Sequence, residues 1–185
     1  MNKSRLAMKY KDEIRAQLKQ SLGVHNVMMV PRLEKIVLNV GVKEAVSDSK
    51  ALQESIDILT KISGQKPVKR LARKSIAGFK LREGMAIGAM VTLRGEMMYE
   101  FLDRFITLAL PKVRDFQGLP SKVNANGRVS YNIGVKDWTI FPEIDFDITK
   151  KAHGLNITLQ TSARNGEHGL ALLKAFEIPF KKSKN

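Results

Sequence analysis

The sequence predicts an α+β fold, a mostly antiparallel sheet with helices packed on one face and a polar open face, in the manner of a ferredoxin-like or RNA-recognition-like sandwich. Three observations carry this. Segments of period two place apolar residues on one side only, the mark of a sheet with one face on a core and one face wet. Between them lie segments with apolar residues three or four apart, the mark of amphipathic helices. Their order, α-β-α-β-β-α-β-β-α, suits helices layered on a sheet. The 185 residues fit one domain, 1–185, with a hydrophobic core that needs no staples.

The first helix is expected over about Ser4 to Leu22, with Leu6, Tyr10, Ile14, Leu18 and Leu22 in one stripe and Gly23 as its stop. Ile36, Leu38 and Val40 share one face of a first strand, Lys35 to Val40, with Val37 and Asn39 on the other. A second helix, about Ser49 to Ser63, buries Leu52, Ile56, Leu59 and Ile62; Ser47, Asp48 or Ser49 caps it and Gly64 ends it. Val68 to Arg73 is a short second strand. The third, Met85 to Arg94, alternates Ile87, Ala89, Val91 and Leu93 against Gly88, Met90, Thr92 and Arg94. A third helix, about Glu96 to Leu110, buries Met98, Leu102, Phe105 and Ala109 and stops at Pro111. Gln117 to Gly127 is a polar loop. Strands follow at Arg128 to Val135 and Leu155 to Thr161. A last helix begins near Asn165 and buries Leu170, Leu173 and Phe176, and the tail at 181–185 is expected to be disordered.

Charge points to the partner. The chain carries 32 basic and 18 acidic residues, a net +14; solubility needs only about 2 to 8. Such a surface binds phosphate backbones at low salt. The excess is densest in QKPVKRLARKSIAGFKLREG, Gln65 to Gly84, where seven basic residues precede the first acid, Glu83. Gly78, Phe79 and Gly84 suit a flexible, exposed loop. Phe79 is either an aromatic available for stacking or an anchor for the loop's base. The open sheet face would carry Asn39, Thr92, Arg94, Arg128, Ser130, Asn132, Asn156, Thr158 and Gln160, short donors and acceptors almost without carboxylates. They can hydrogen-bond sugars, phosphates and base edges. A merely solvated face is the plain alternative, and the charge favours RNA over it. Central aromatics that stack single-stranded bases are missing, so shape recognition of folded RNA is the expectation.

Other functions find less support. With no cysteine, disulfides, thiolate zinc sites and a cysteine nucleophile are excluded. No apolar segment approaches bilayer length and the amino terminus is charged throughout, so no membrane association and a cytoplasmic location are expected. Glu143, Asp145 and Asp147 alternate near His153 and could serve a magnesium-dependent nuclease. The favoured account is a polar strand edge with Ile144, Phe146 and Ile148 inward. His25, His153 and His168 show no ligand spacing, and no nucleotide-binding or nucleophile-elbow motif occurs. Trp138 is read as core. A non-enzyme without cofactor is expected; the alternatives are the nuclease and a basic adaptor for acidic protein.

Long runs of the chain resemble a known family. VPRLEKIVLNVGVKEA (Val30 to Ala45), ISGQKPVKRLARKSIAGFKLREG (Ile62 to Gly84), VTLRGEMMYEFLDRF (Val91 to Phe105), PKVRDFQGL (Pro111 to Leu119) and FPEIDFD (Phe141 to Asp147) are similar to the bacterial ribosomal protein five of the large subunit. The resemblance implies a structural protein of the central protuberance that binds 5S rRNA and helps attach it to 23S rRNA. It implies a 5S-binding cluster of Asn39, Gln65 and Thr92 with Arg94 nearby. It also implies an arm towards P-site tRNA, about Arg73 to Gly84, with Arg73, Lys74, Ser75, Gly78, Phe79, Lys80 and Arg82. Further implied partners are small-subunit protein thirteen across an intersubunit bridge and neighbouring 5S-associated proteins. Lys43 departs from the family's usual glycine. Met85 and Ala86 replace a frequent aromatic-proline pair, which implies a less rigid exit from the arm.

Overall fold

The structure, a computed structural model, describes residues 4–114, 116–121, 123–124, 127–144 and 153–181. Ser4 opens the first helical segment: its Oγ accepts from the Ala7 N–H at 3.4 Å, and its own N–H donates to Glu96 Oε2 at 2.8 Å. Helix α1 (Arg5–Lys9) runs through a π turn (Tyr10–Ile14) into α2 (Arg15–Ser21). The stripe explains that turn. Apolar residues spaced strictly by four drift about 40° per step around a 3.6-residue helix. The wider π turn takes back part of the drift, and Leu6, Ile14 and Leu18 are all buried. Gly23, at φ +62°, ends the helix as expected.

Strand β1 (Leu33–Gly41) buries Ile36, Leu38 and Val40. Helix α3 (Ser49–Ser63) matches the sequence reading at both ends. Asp48, of the three candidates, supplies the cap, its Oδ1 accepting from the Lys50 N–H at 2.8 Å, and Gly64 closes the helix at φ +70°. Strand β2 (Val68–Leu71) is exposed along its whole length, and β3 (Ala86–Leu93) alternates as expected. Helix α4 (Gly95–Arg104) continues through a second π turn (Phe105–Ala109) into a 3-10 turn (Leu110–Lys112). Pro111 therefore sits inside that last turn rather than beyond it, at a first-turn position where a missing N–H costs nothing. Strands β4 (Ser130–Val135) and β5 (Leu155–Thr161) precede α5 (Gly166–Ala175). Leu172, Leu173 and Phe176 are buried while Leu170 is only half-buried, so α5 is rotated from the expected face.

The five strands form one open antiparallel sheet in the order β2-β3-β1-β5-β4, which bears out the α+β reading. Contacts divide the chain into two compact units, one of Met1–Ile36, Arg94–Ile133 and Thr158–Asn185, the other of Val37–Leu93 and Gly134–Ile157. In the first, Tyr10, Tyr99 and Phe176 cluster with ring centroids 5.9–6.4 Å apart. In the second, α3 packs on β3, and Trp138 is buried edge-on to His153 at 5.2 Å, a core residue as expected. Lys181, placed by sequence in a disordered tail, donates its N–H to Leu119 O at 2.8 Å. The rest of that tail lies outside the described residues.

Candidate nucleic-acid interface

Alternation on two neighbouring strands builds the polar face. On β1, Leu38 and Val40 are buried and Asn39 between them is half-exposed; on β3, Val91 and Leu93 are buried and Thr92 is half-exposed. Helix α3 covers the buried side of β3 in this unit. Gln65 follows directly from the end of α3. The buried Ser63 hydroxyl donates to Leu59 O (2.6 Å) and accepts from the Gln65 N–H (3.2 Å), so the backbone at Gln65 is held while its side chain is exposed. Asn39, Gln65 and Thr92 thus belong to one unit; Arg94, exposed, falls in the other.

Pairing adds a residue that the sequence reading left in the loop. Val68 pairs with Met90 and Arg70 with Gly88. Directly paired residues share a face, and Met90 and Gly88 share Thr92's face by their even spacing. Arg70 therefore stands on the polar side, on an exposed edge strand. Only the register could reveal this, because a one-residue slip would turn it to the other side. Elsewhere on the expected face, Asn132 and Asn156 are exposed and Ser130, Thr158 and Gln160 half-buried. Arg128 is ion-paired with Glu34 at 2.5 Å, which offsets its charge.

The basic loop is a laced arm rather than the flexible segment expected from its glycines. Ala72 N–H donates to Met85 O (2.8 Å) and Gly84 N–H to Ala72 O (3.0 Å), closing the base. Ile76 and Leu81 exchange both backbone bonds (2.9 and 3.1 Å) around a 3-10 turn, Ala77–Phe79. Lys80 takes the left-handed conformation, φ +53°, that closes the tip. Ser75 Oγ accepts from Glu83 N–H at 3.0 Å. Met85, where a rigid pair was missing, accepts through its sulfur from Arg82 N–H at 3.2 Å. Its main-chain bond to Ala72 and this contact hold the exit. Phe79 is 73% exposed, which selects the aromatic available for stacking over the anchor. Arg73, Lys74, Lys80 and Arg82 are exposed, without ion pairs among the described residues.

Asp145 and Asp147 of the carboxylate run lie outside the described residues. Among those described, no group of three His, Asp or Glu could hold a metal, and no helix is long and apolar enough to cross a membrane.

Two family models match the chain: "Ribosomal protein L5" over residues 26–82, and the C-terminal part of the same ribosomal family over 86–180. Among curated proteins, it is 55% identical over 173 residues to "Large ribosomal subunit protein uL5" of Colwellia psychrerythraea, covering 94% of this chain and 95% of the relative. The protein of the same name from Delftia acidovorans is 54% identical over 96% of this chain and 99% of its own length.

Proposed function

Since the chain belongs to the family of large ribosomal subunit protein uL5, we propose that it anchors 5S rRNA through the polar face around Asn39 and Thr92. Membership makes it a structural, RNA-binding constituent of the large ribosomal subunit, in the ribosomes of the cytoplasm. The relatives are ribosomal proteins, a family that is not enzymatic.

The observation that carries the 5S reading is the pairing of a buried apolar side with a half-exposed uncharged side on adjacent strands β1 and β3. Amide and hydroxyl groups there can meet ribose hydroxyls and base edges, and Gln65 adds a further amide from a pinned backbone. Arg94 and the edge-strand Arg70 supply guanidinium groups for phosphate. The arm, Arg73 to Gly84, reaches P-site tRNA by charge and by Phe79. Attachment of 5S to 23S rRNA, contact with small-subunit protein thirteen and contact with neighbouring 5S-associated proteins complete the reading. The resemblance of the whole chain supports these last contacts.

Replacing Asn39→Ala together with Thr92→Ala removes hydrogen-bonding groups from half-exposed positions and leaves the core intact. Filter binding to 5S rRNA should weaken by roughly tenfold or more, at about 1 kcal/mol per lost bond, with an unchanged thermal transition. Unchanged affinity would move the site elsewhere.

A further inference from the structure

The first unit contains a cavity of about 480 Å³ that belongs to neither the polar face nor the arm. One wall is apolar: Met28, Met29 and Pro31, with the two methionines 76% and 70% exposed. The other carries Arg128, Arg164 and His168, and no acidic residue lines the cavity. Its frame is tied, because Arg32 N–H donates to Ser162 Oγ (3.0 Å) and Ser162 N–H to Arg32 O (2.9 Å). Arg15 contacts the sulfur of Met28 at 3.8 Å, which orients that side chain and adds a third guanidinium near the rim. Arg128 is held by Glu34, whereas Arg164 is exposed and makes no ion pair among the described residues.

Two large apolar side chains left in solvent beside an unneutralised arginine are arranged for a ligand with a flat apolar part and a negative charge. The volume lies within the range of about 300–1,000 Å³ that holds small-molecule-sized groups. We propose that the cavity receives a single unpaired nucleotide of rRNA, its base on Met28, Met29 and Pro31 and its phosphate at Arg164 and His168. Extruded bases are held by apolar packing in this way, and thioether sulfur makes favourable contacts with aromatic rings. A peptide bearing an acidic and an apolar side chain has similar chemistry. The net charge of +14 and the family's rRNA association favour RNA. The inference rests on that association and not on the face around Asn39.

The chain has no cysteine, so Met28→Cys provides one attachment point for a benzophenone maleimide. The exposed Met8→Cys serves as a control. The labelled full-length protein is assembled into large subunits and irradiated. The expected result is a crosslink from position 28 to one rRNA position that the control does not reach. Adding Arg164→Ala should lower its yield by about fivefold, as loss of a phosphate contact does. Asn39→Ala with Thr92→Ala should leave the crosslinked position unchanged even if 5S affinity falls, which separates this site from the sheet face. Crosslinking to a protein instead, or no rRNA crosslink above the control, would overturn the proposal. Both methionines are exposed, so loss of fold does not confound either variant.

Discussion

A Cβ added at Gly88 would stand 2.5 Å from the carbonyl oxygen of Val40 and 3.6 Å from the Cα of Gly41. Both obstacles are backbone, so neither can rotate away. Gly88→Ala must therefore separate β3 from the end of β1, the two strands that carry Thr92 and Asn39. The expected loss is about 1–3 kcal/mol, read as a lower urea midpoint, with weaker 5S binding alongside. An unchanged midpoint would mean that the strands yield without cost. Gly169 poses the same problem against a side chain, since its added Cβ would lie 2.4 Å from Val129 Cγ1. Alternation in the sequence placed Gly88 on the polar side, but nothing local to it announced a neighbouring carbonyl. That proximity joins residues far apart in the chain.

Among the elements, the arm differs most from its sequence expectation. Its composition was legible: basic residues, glycines and one aromatic mark an exposed segment. Its order was not, because the restraints are cross-chain bonds such as Ala72 to Met85 and Ile76 to Leu81. A pre-ordered arm loses less entropy on docking than a floppy one. Replacing Lys74→Ala, Lys80→Ala and Arg82→Ala should reduce crosslinking to P-site tRNA in assembled ribosomes while 5S affinity stays within about twofold, because surface charges act chiefly within a Debye length. A collapse of 5S affinity in that variant would refute the division between arm and face. The helices show a parallel contrast. Asp48 and Gly64 framed α3 because caps and stops are local chemistry. The π turns in the first and third helical segments answer instead to what each helix packs against.

For the molecule as a whole, charge and burial act in different pH ranges. The net +14 makes RNA affinity fall steeply with salt, by about 0.9 log units per log unit of salt for each phosphate neutralised on a duplex. The three tyrosines respond to alkali. Burial pushes Tyr99 and Tyr131 up to about 12 and raises Tyr10 as well. Tyr10 and Tyr131 also donate to the carbonyls of Pro31 and Pro120. A folded pKa above the unfolded value of about 10 means that the neutral phenol is favoured in the fold. This contribution is complete below about pH 10 and is lost as the pH rises from about 10 towards 12. Tyrosinate absorbance should therefore appear above about pH 10 and track the loss of circular dichroism. Tyrosines that all titrate near their unfolded value in an intact fold would contradict this placement.

The sequence by itself determined the α+β class, the element order, the apolar face of nearly every element, the basic character of the partner surface and the family. All of these follow from period, capping chemistry, composition and ordered runs, which are properties of neighbouring residues. Tertiary structure alone decided the strand order β2-β3-β1-β5-β4, the register that turns Arg70 to the polar face, the lacing of the arm and the cavity beside Met28 and Arg164. Each of these depends on which distant segments meet. Side-chain alternation says which face of a strand is buried, but not which strand lies beside it or how far the two are offset.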